Sequence, residues 1–471
     1  MYIKQMMTPW KLARQSTNDS PTAEQSRSSN VHRLLAVALL GAVCSTGAWG
    51  KTQNSTQVGI NNELLLELKS SKASERAKAA EAIGKRGNVS DVPALVAALH
   101  DPTPQVRRQV VLALASFTTP ASLDGLIEAT QDPDPNVRTL AVEAVTGYYT
   151  GHTPKAGFLG FVETEYRSMK QGFAPDETEV DPGTVVDPRV ISALERAMMD
   201  TRFEQAARAA ARGLGTLDAR SAVPDLIITA HSPDENLARE ALNALVKIRD
   251  TAAGPQLADL LKSSNAAIQQ DAAVTVGILR TRQAVPELQL LAQNAPNSTT
   301  RLRALEGLSY VGDPVSDPIF EKDLWSHNKK VRTYAAEGLG RSGDRSALPS
   351  LLKAAVVEKD PNVRLAMEFA ITALGNDEYL SEMVNELGSR WRGNAAQAYL
   401  AELAQNPSFL PKLYPFLSSP NATIRARLCL VLMYSGNASS LPWLQKATHD
   451  HNSTVAADAL RALNAIHARA D

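Results

Sequence analysis

One stretch of the chain, DPDPNVRTLAVEAVTG from Asp132 to Gly147, returns in altered form along most of its length. Variants read DPTPQVRRQVVLALAS from Asp101, NKKVRTYAAEGLGRSG from Asn328 and DPNVRLAMEFAITALG from Asp360. Aligning Val106 with Val137 and Val331 with Val363 gives separations of 31 and 32 residues. A period of this size marks an architecture in which one small unit is stacked on copies of itself. It therefore restricts the fold before any single residue is considered.

The register then extends in both directions. The slot held by Val137 recurs at Glu75, Val106, Val137, Ala206, Leu237, Ile268, Thr300, Val331, Val363, Asn394, Ile424 and Val455, numbered here as repeats 1 to 12. Successive steps are 30 to 32 residues, except for one of 69 between repeats 3 and 4, an excess of roughly 38. Within each copy a turn rich in Asp and Pro, ending at Asn136 in repeat 3, precedes apolar residues at helical spacing. Small apolar pairs such as Ala79-Ala80, Ala210-Ala211 and Ala335-Ala336 follow four residues after the slot. A shorter apolar segment stands ahead of each such helix, with Pro near its start in DVPALVAALHD and SAVPDLIITAHSPD. Pro suits a first helical turn, where its missing N–H would have had no partner. The unit reads as helix, tight turn, helix, with no sustained strand pattern.

The VRxxAAxxLG pattern after a D-P turn resembles the HEAT repeat, in the short bacterial variety first described in phycobilisome lyases. The resemblance covers about Asn61 to Ala470. It implies an all-α, right-handed α-solenoid (superhelix) of about twelve helix-turn-helix repeats, in which each unit is buried by its neighbours. That arrangement explains how 471 residues can fold around more than one ordinary core. Such repeats carry many unrelated functions, so function has to be read from particular residues.

The first fifty residues differ in kind. A polar leader precedes His32-Arg33, the apolar run LLAVALLGAVC and the small residues STGAWG. This pattern reads as a secretory signal peptide cleaved after Gly50, with anchoring by an uncleaved segment as the alternative. The run is shorter than the roughly 20 residues of a membrane span. Val43 stands where a lipobox needs a small residue before Cys44, which argues against lipidation. Removing the leader's five basic and two acidic residues from totals of 49 and 50 leaves 44 and 48. The balance disfavours nucleic acid as a partner. The localisation expected is periplasmic or secreted, with Cys429 the sole remaining cysteine, on an apolar helix face.

The domains follow as a leader over 1–50, an N-terminal cap and repeats over 51–151, an insertion over 152–186, and repeats with a C-terminal cap over 187–471. The interruption, running from about Tyr148 to Val186, is rich in aromatics for a chain with only 5% of them, including Phe158, Phe161 and Tyr166. Such a segment either covers exposed helix faces or serves as a recognition loop.

Two sets of arginines stand out. Arg76, Arg107, Arg138, Arg301, Arg332, Arg364 and Arg425 directly follow the repeat slot, placed to bind turn carboxylates and carbonyls as a structural ladder. Arg208, Arg212, Arg239 and Arg303, with Tyr334, fall on the face expected to line the concave surface, as either a solvated face or a groove for an acidic peptide. No His-Glu pair of the kind that binds iron in the HEAT-like deoxyhypusine hydroxylases is present. Nor is there a phosphate-binding glycine loop, a GxSxG or a CxxC. His449-Asp450-His451 falls in an inter-helix turn, and two histidines alone make a poor metal site. The sequence thus implies no catalytic residues, no cofactor and no metal. It points to a monomeric, non-catalytic protein-interaction scaffold in the cell envelope, with membrane contact not favoured. A lyase-like or enzyme-accessory subunit binding a small molecule, or a carbohydrate- or membrane-associated protein, is the alternative.

Overall fold

Each second helix starts where a side chain can close its first turn. In repeat 3 the Asp134 carboxylate accepts the N–H groups of Asn136 (2.9 Å) and Val137 (3.1 Å), and the helix runs from Pro135 to Thr150. It begins ahead of the turn boundary read at Asn136, because Asp caps and Pro fits the first helical position. Asp234, Asn265, Asn297 and Asp360 cap the equivalent helices in the same way. The first helices are shorter and most follow a single 3-10 turn, as at Arg220–Ala222 before Val223–Ala230 and Arg345–Ala347 before Leu348–Val357, whereas Pro120–Ala129 and Pro188–Met199 start without one.

The computed structural model describes residues 63–151, 180, 181 and 184–470, all within one unit that begins at Ile60. The leader and its cleavage site lie outside the described residues, as do Phe158, Phe161 and Tyr166. Among the described residues there are paired helices and no strand, so the fold is an all-α solenoid. Second helices pack on second helices of the next repeat, for example Glu204–Thr216 on Glu235–Ile248 and Lys329–Ser342 on Pro361–Ala373. Small residues set this spacing. A methyl group added at Gly215 would sit 2.6 Å from the Ala244 Cα, and one at Gly340 would sit 2.6 Å from the Ala370 Cα. The recurring Gly therefore permits close backbone approach between adjacent repeats.

The long step between repeats 3 and 4 does not interrupt the stack. Helix Pro135–Thr150 packs directly on Glu204–Thr216, and Thr146 lies against Gly213. Tyr148 and Tyr149, read from sequence with the interruption, belong to this helix and pack partly buried against the core. The Tyr149 hydroxyl accepts the Asp187 N–H at 3.0 Å and so holds the chain where it re-enters the stack. Farther along, Val180 N–H reaches the Thr216 carbonyl at 3.2 Å, and Arg461 of the last helix binds Asp181 through Nε at 3.1 Å.

The arginine ladder is present, with two rungs different from the reading. Arg107 binds both oxygens of Asp132 (2.7 and 2.8 Å) and donates to the Asp101 carbonyl (2.9 Å). Arg332 grips Glu358 (2.7 and 3.0 Å), and Arg425 grips Asp450 (2.7 and 2.9 Å). Arg76 does the same with Asp101. Arg138 reaches Asp200 at 2.7 Å, a residue beyond the insertion, and lies 3.6 Å from the centre of the Phe203 ring. Each fork joins one repeat to the next. Each acid also accepts an N–H in its own turn, as Asp132 does from Asp134 and Asp450 from Asn452, both at 2.8 Å. The Arg425 fork holds the Asp450 carboxyl down at about 2. Arg364 has only the Glu358 carbonyl and Arg301 only the Ala295 carbonyl, because the next repeats carry Ser389 and Ser326 at the matching position.

The Arg107 and Asp132 side chains are 10% and 6% exposed, so breaking their pair leaves a charge poorly solvated. Arg107→Ala should therefore cost about 3 kcal/mol in equilibrium unfolding. Arg364→Ala should cost much less, and equal losses would refute a ladder held by its carboxylates.

Candidate functional site

The second helices present their polar side chains from positions two, three and six after the slot. Along repeats 4 to 6 these form a further set of links between neighbours. Arg208 binds Asp234 (3.0 Å), Arg212 binds Glu240 (2.8 Å) and Arg239 binds Asp271 (2.6 Å). In repeat 7, Arg303 pairs with Glu306 of its own helix at 2.7 Å. The guanidinium groups read as candidate carboxylate binders are thus engaged by the protein's own acids. Burial raises the Tyr334 phenol far above its ordinary range, with Glu306 and Glu337 adding to the shift.

A denser cluster centres on Arg341, which sequence reasoning passed over. Its Nε and Nη2 bind Glu402 (2.9 and 3.0 Å), and Nη1 binds Glu337 (3.2 Å). Its guanidinium carbon lies 4.6 Å from the Tyr310 ring centre and 5.4 Å from that of Phe369. Phe369 stacks on Tyr399 at 4.6 Å, and the Tyr399 hydroxyl donates to Glu337. Arg280 approaches Glu402 at 3.5 Å. Residues of repeats 6 to 10 therefore meet at one guanidinium. Burial raises the Glu337 carboxyl despite its Arg341 and Tyr399 partners. Only the placement of charge signals this cluster in sequence, since Arg341 takes a place held by Ser116 and Gly147 in repeats 2 and 3.

The cluster spans a seam in the core. Buried apolar side chains form two groups that meet on helix Pro361–Ala373: Val363, Ala366 and Met367 face one, and Leu365 and Phe369 the other. Glu368, on the same helix, is pushed up to about 7 by burial, with Glu382 and Glu386 reinforcing and Arg364 and Arg392 opposing.

The Arg341, Glu337, Glu402 and Tyr399 groups pair with one another. Among the described residues no three His, Cys, Asp or Glu side chains are grouped to hold a metal ion. Asp450 of the His449-Asp450-His451 turn is occupied by Arg425. Cys429 is buried and its thiol is pushed up to about 12 by that burial, so it is not a poised nucleophile. A cavity of about 500 Å³ lies where the chain rejoins the stack, lined by Thr184, Val186, Ile191, Leu217 and Arg220.

Family comparison bears on the repeats themselves. The HEAT-repeat model matches residues 61–146 and 191–277, and the PBS lyase HEAT-like repeat model matches 331–356. This is a HEAT-repeat protein. No curated protein matches it. Among solved structures, an engineered protein aligns over 86% of this chain and 98% of its own, at 17% identity and a TM-score of 0.35. The CpcE–CpcF complex of phycocyanin lyase from Nostoc aligns over 54% and 94%, at 19% identity and 0.31. Importin beta aligns over 88% and 62%, at 14% identity and 0.43.

Two outcomes follow from the polar clusters of this HEAT-repeat stack. Arg341→Ala strands Glu337, whose side chain is only 9% exposed, and should cost on the order of 3–5 kcal/mol in urea unfolding. Glu368 has a raised folded-state pKa, so ionising it penalises the native state progressively as pH rises from about 4.5 to 7. Glu368→Gln should match the parent's melting temperature near pH 4 and exceed it by a few degrees near pH 8. An equal difference at both pH values would contradict this environment.

Proposed function

We propose that this HEAT-repeat protein is a non-catalytic scaffold that binds other proteins in a bacterial cell envelope. The observation that carries the reading is the internal use of its polar groups. Arginines and carboxylates that could have formed a reactive or ligand-binding set are spent linking one repeat to the next. What the stack offers to other molecules is extended surface rather than a chemical centre. HEAT-repeat solenoids commonly serve protein interactions in this way. Placement in the periplasm or outside the cell rests on the leader and its proposed cleavage after Gly50.

Phe158, Phe161 and Tyr166 are the contact residues proposed within the insertion. Rigid aromatics contribute strongly to binding when they fill a partner's pocket. A lyase-like role would require a bound small molecule, seen as visible absorbance in the purified protein. The lyase-type match over residues 331–356 is to a repeat motif, and the groups that meet there are paired with one another.

The test is capture from a native envelope extract, using the chain beside a version lacking residues 152–185. A defined partner held by the first and lost from the second, with helical circular dichroism unchanged, is the expected result. Absence of any specific partner from both would count against the scaffold. Unfolding of the deletion would assign the insertion a covering role instead.

A further inference from the structure

Tryptophan is scarce in this chain, and none of the three that the structure describes is buried. Trp391 is 83% exposed, Trp325 50% and Trp443 40%. Trp443 is stacked on Tyr414, which accounts for its position. Trp325 and Trp391 have no comparable cover and occupy the turns that join first to second helices in repeats 8 and 10. Repeat 9, between them, presents Val356 and Val357 at the same edge, 75% and 60% exposed. Elsewhere the position of Trp325 and Val357 carries polar residues such as Gln131, His231 and Lys262. The turns of repeats 8 and 10 and the helix end of repeat 9 therefore make an apolar edge.

The same edge is cationic. Lys329, Lys330, Lys359 and Arg390 are exposed, as is Lys353 on the adjoining helix Leu348–Val357. Lys353 Nζ lies 5.7 Å from the Trp325 ring centre and the Arg390 guanidinium 5.5 Å from that of Trp391, so charge and ring are presented together. Lys329 approaches Asp360 at 3.6 Å, and among the described residues the other four meet no carboxylate. Of the acids nearby, Glu358 is held by Arg332 and Glu386 by Arg392.

We propose that the turn edge of repeats 8 to 10 docks on an anionic lipid surface. The fit is chemical. Indole rings rest at headgroup depth with the ring partly in hydrocarbon and the N–H in water. Lysine and arginine beside them keep their charges on lipid phosphates while their stems lie along the apolar layer. A patch of this composition in a chain of net charge −1 matches a negatively charged surface, although the protein as a whole would be repelled by it. The aromatic and aliphatic residues stand on successive repeats, which suits a flat, laterally continuous ligand better than a single peptide side chain. No helix among the described residues is long and apolar enough to cross a membrane, so the contact is peripheral.

The test is flotation of the full chain with vesicles of phosphatidylglycerol and phosphatidylcholine in equal parts, and with phosphatidylcholine alone. Binding should require the anionic lipid and weaken with added salt. Each cation at such a surface contributes roughly a fivefold gain in partitioning, so the double variant Lys359→Glu/Arg390→Glu should bind at least about tenfold more weakly. Trp325→Ser/Trp391→Ser should lose both binding and the blue shift of tryptophan emission on adding vesicles. All four residues are exposed, and unchanged melting would confirm that both variants fold. Binding through the apolar run of the leader would persist in both variants and would overturn the proposal. So would equal binding to neutral vesicles, no binding at all, or capture by polyglutamate in place of vesicles, which would assign the edge to an acidic protein.

Discussion

A pair of amphipathic helices cannot bury its own apolar faces, so every repeat in this protein depends on the one before and the one after. That dependence makes the distance between adjacent second helices the controlling quantity. Glycine and alanine at matching positions let the backbones approach until a single extra methyl would collide, as at Gly215 with Ala244 and Gly340 with Ala370. Close approach brings the ends of neighbouring helices together, and with them their unpaired backbone groups and charges. Where an arginine follows the slot and the next turn carries an acid, as at Arg107, it joins the two repeats. It satisfies a carbonyl of its own turn and a carboxylate of the next, while that carboxylate closes the next turn in its own right.

The junction beyond the insertion shows how strong the constraint is. Repeats 3 and 4 are separated by an extra segment, yet their second helices pack directly and Arg138 finds its carboxylate at Asp200. Insertions of this kind are tolerated because loop closure costs grow slowly with length, whereas a lost interface would expose two apolar faces. The core is less uniform near repeats 9 and 10, where it divides into two groups. There the link is polar and reaches farther, from Arg341 to Glu402 across 61 positions, supported by stacked Phe369 and Tyr399. A buried network of this kind tolerates little alteration, since each group satisfies another.

Function is shaped by the same arrangement. Charges of the second helices are used to fasten repeats together, as Arg208, Arg212 and Arg239 are with acids of the next repeat. The side chains left free for recognition lie at the rim, on turns whose geometry is secured by capping and whose outward residues are not needed by the fold. Scaffolding through a stack of this type is consistent with that division, structure in the helix faces and specificity in the turns.

The period, the helix pairs, the proline starts and the carboxylate-arginine turns were all legible in the chain, because each depends on residues within a few positions of one another. Even the ladder could be read, since its two members recur in one motif. Its exceptions could not. Arg364 lacks an acid because the neighbouring repeat supplies Ser389, and Arg138 has one only because the stack closes over the insertion. Pairing of Arg208 with Asp234, Arg212 with Glu240 and Arg239 with Asp271 required the spacing and rotation of adjacent helices. The Arg341 cluster required the approach of residues five repeats deep, and the exposure of Trp325 and Trp391 depended on what their neighbours left uncovered. Sequence alone thus determined the repeating unit, whose physics is local. The tertiary structure decided which charges were consumed and which surfaces remained, because that depends on the contacts between units.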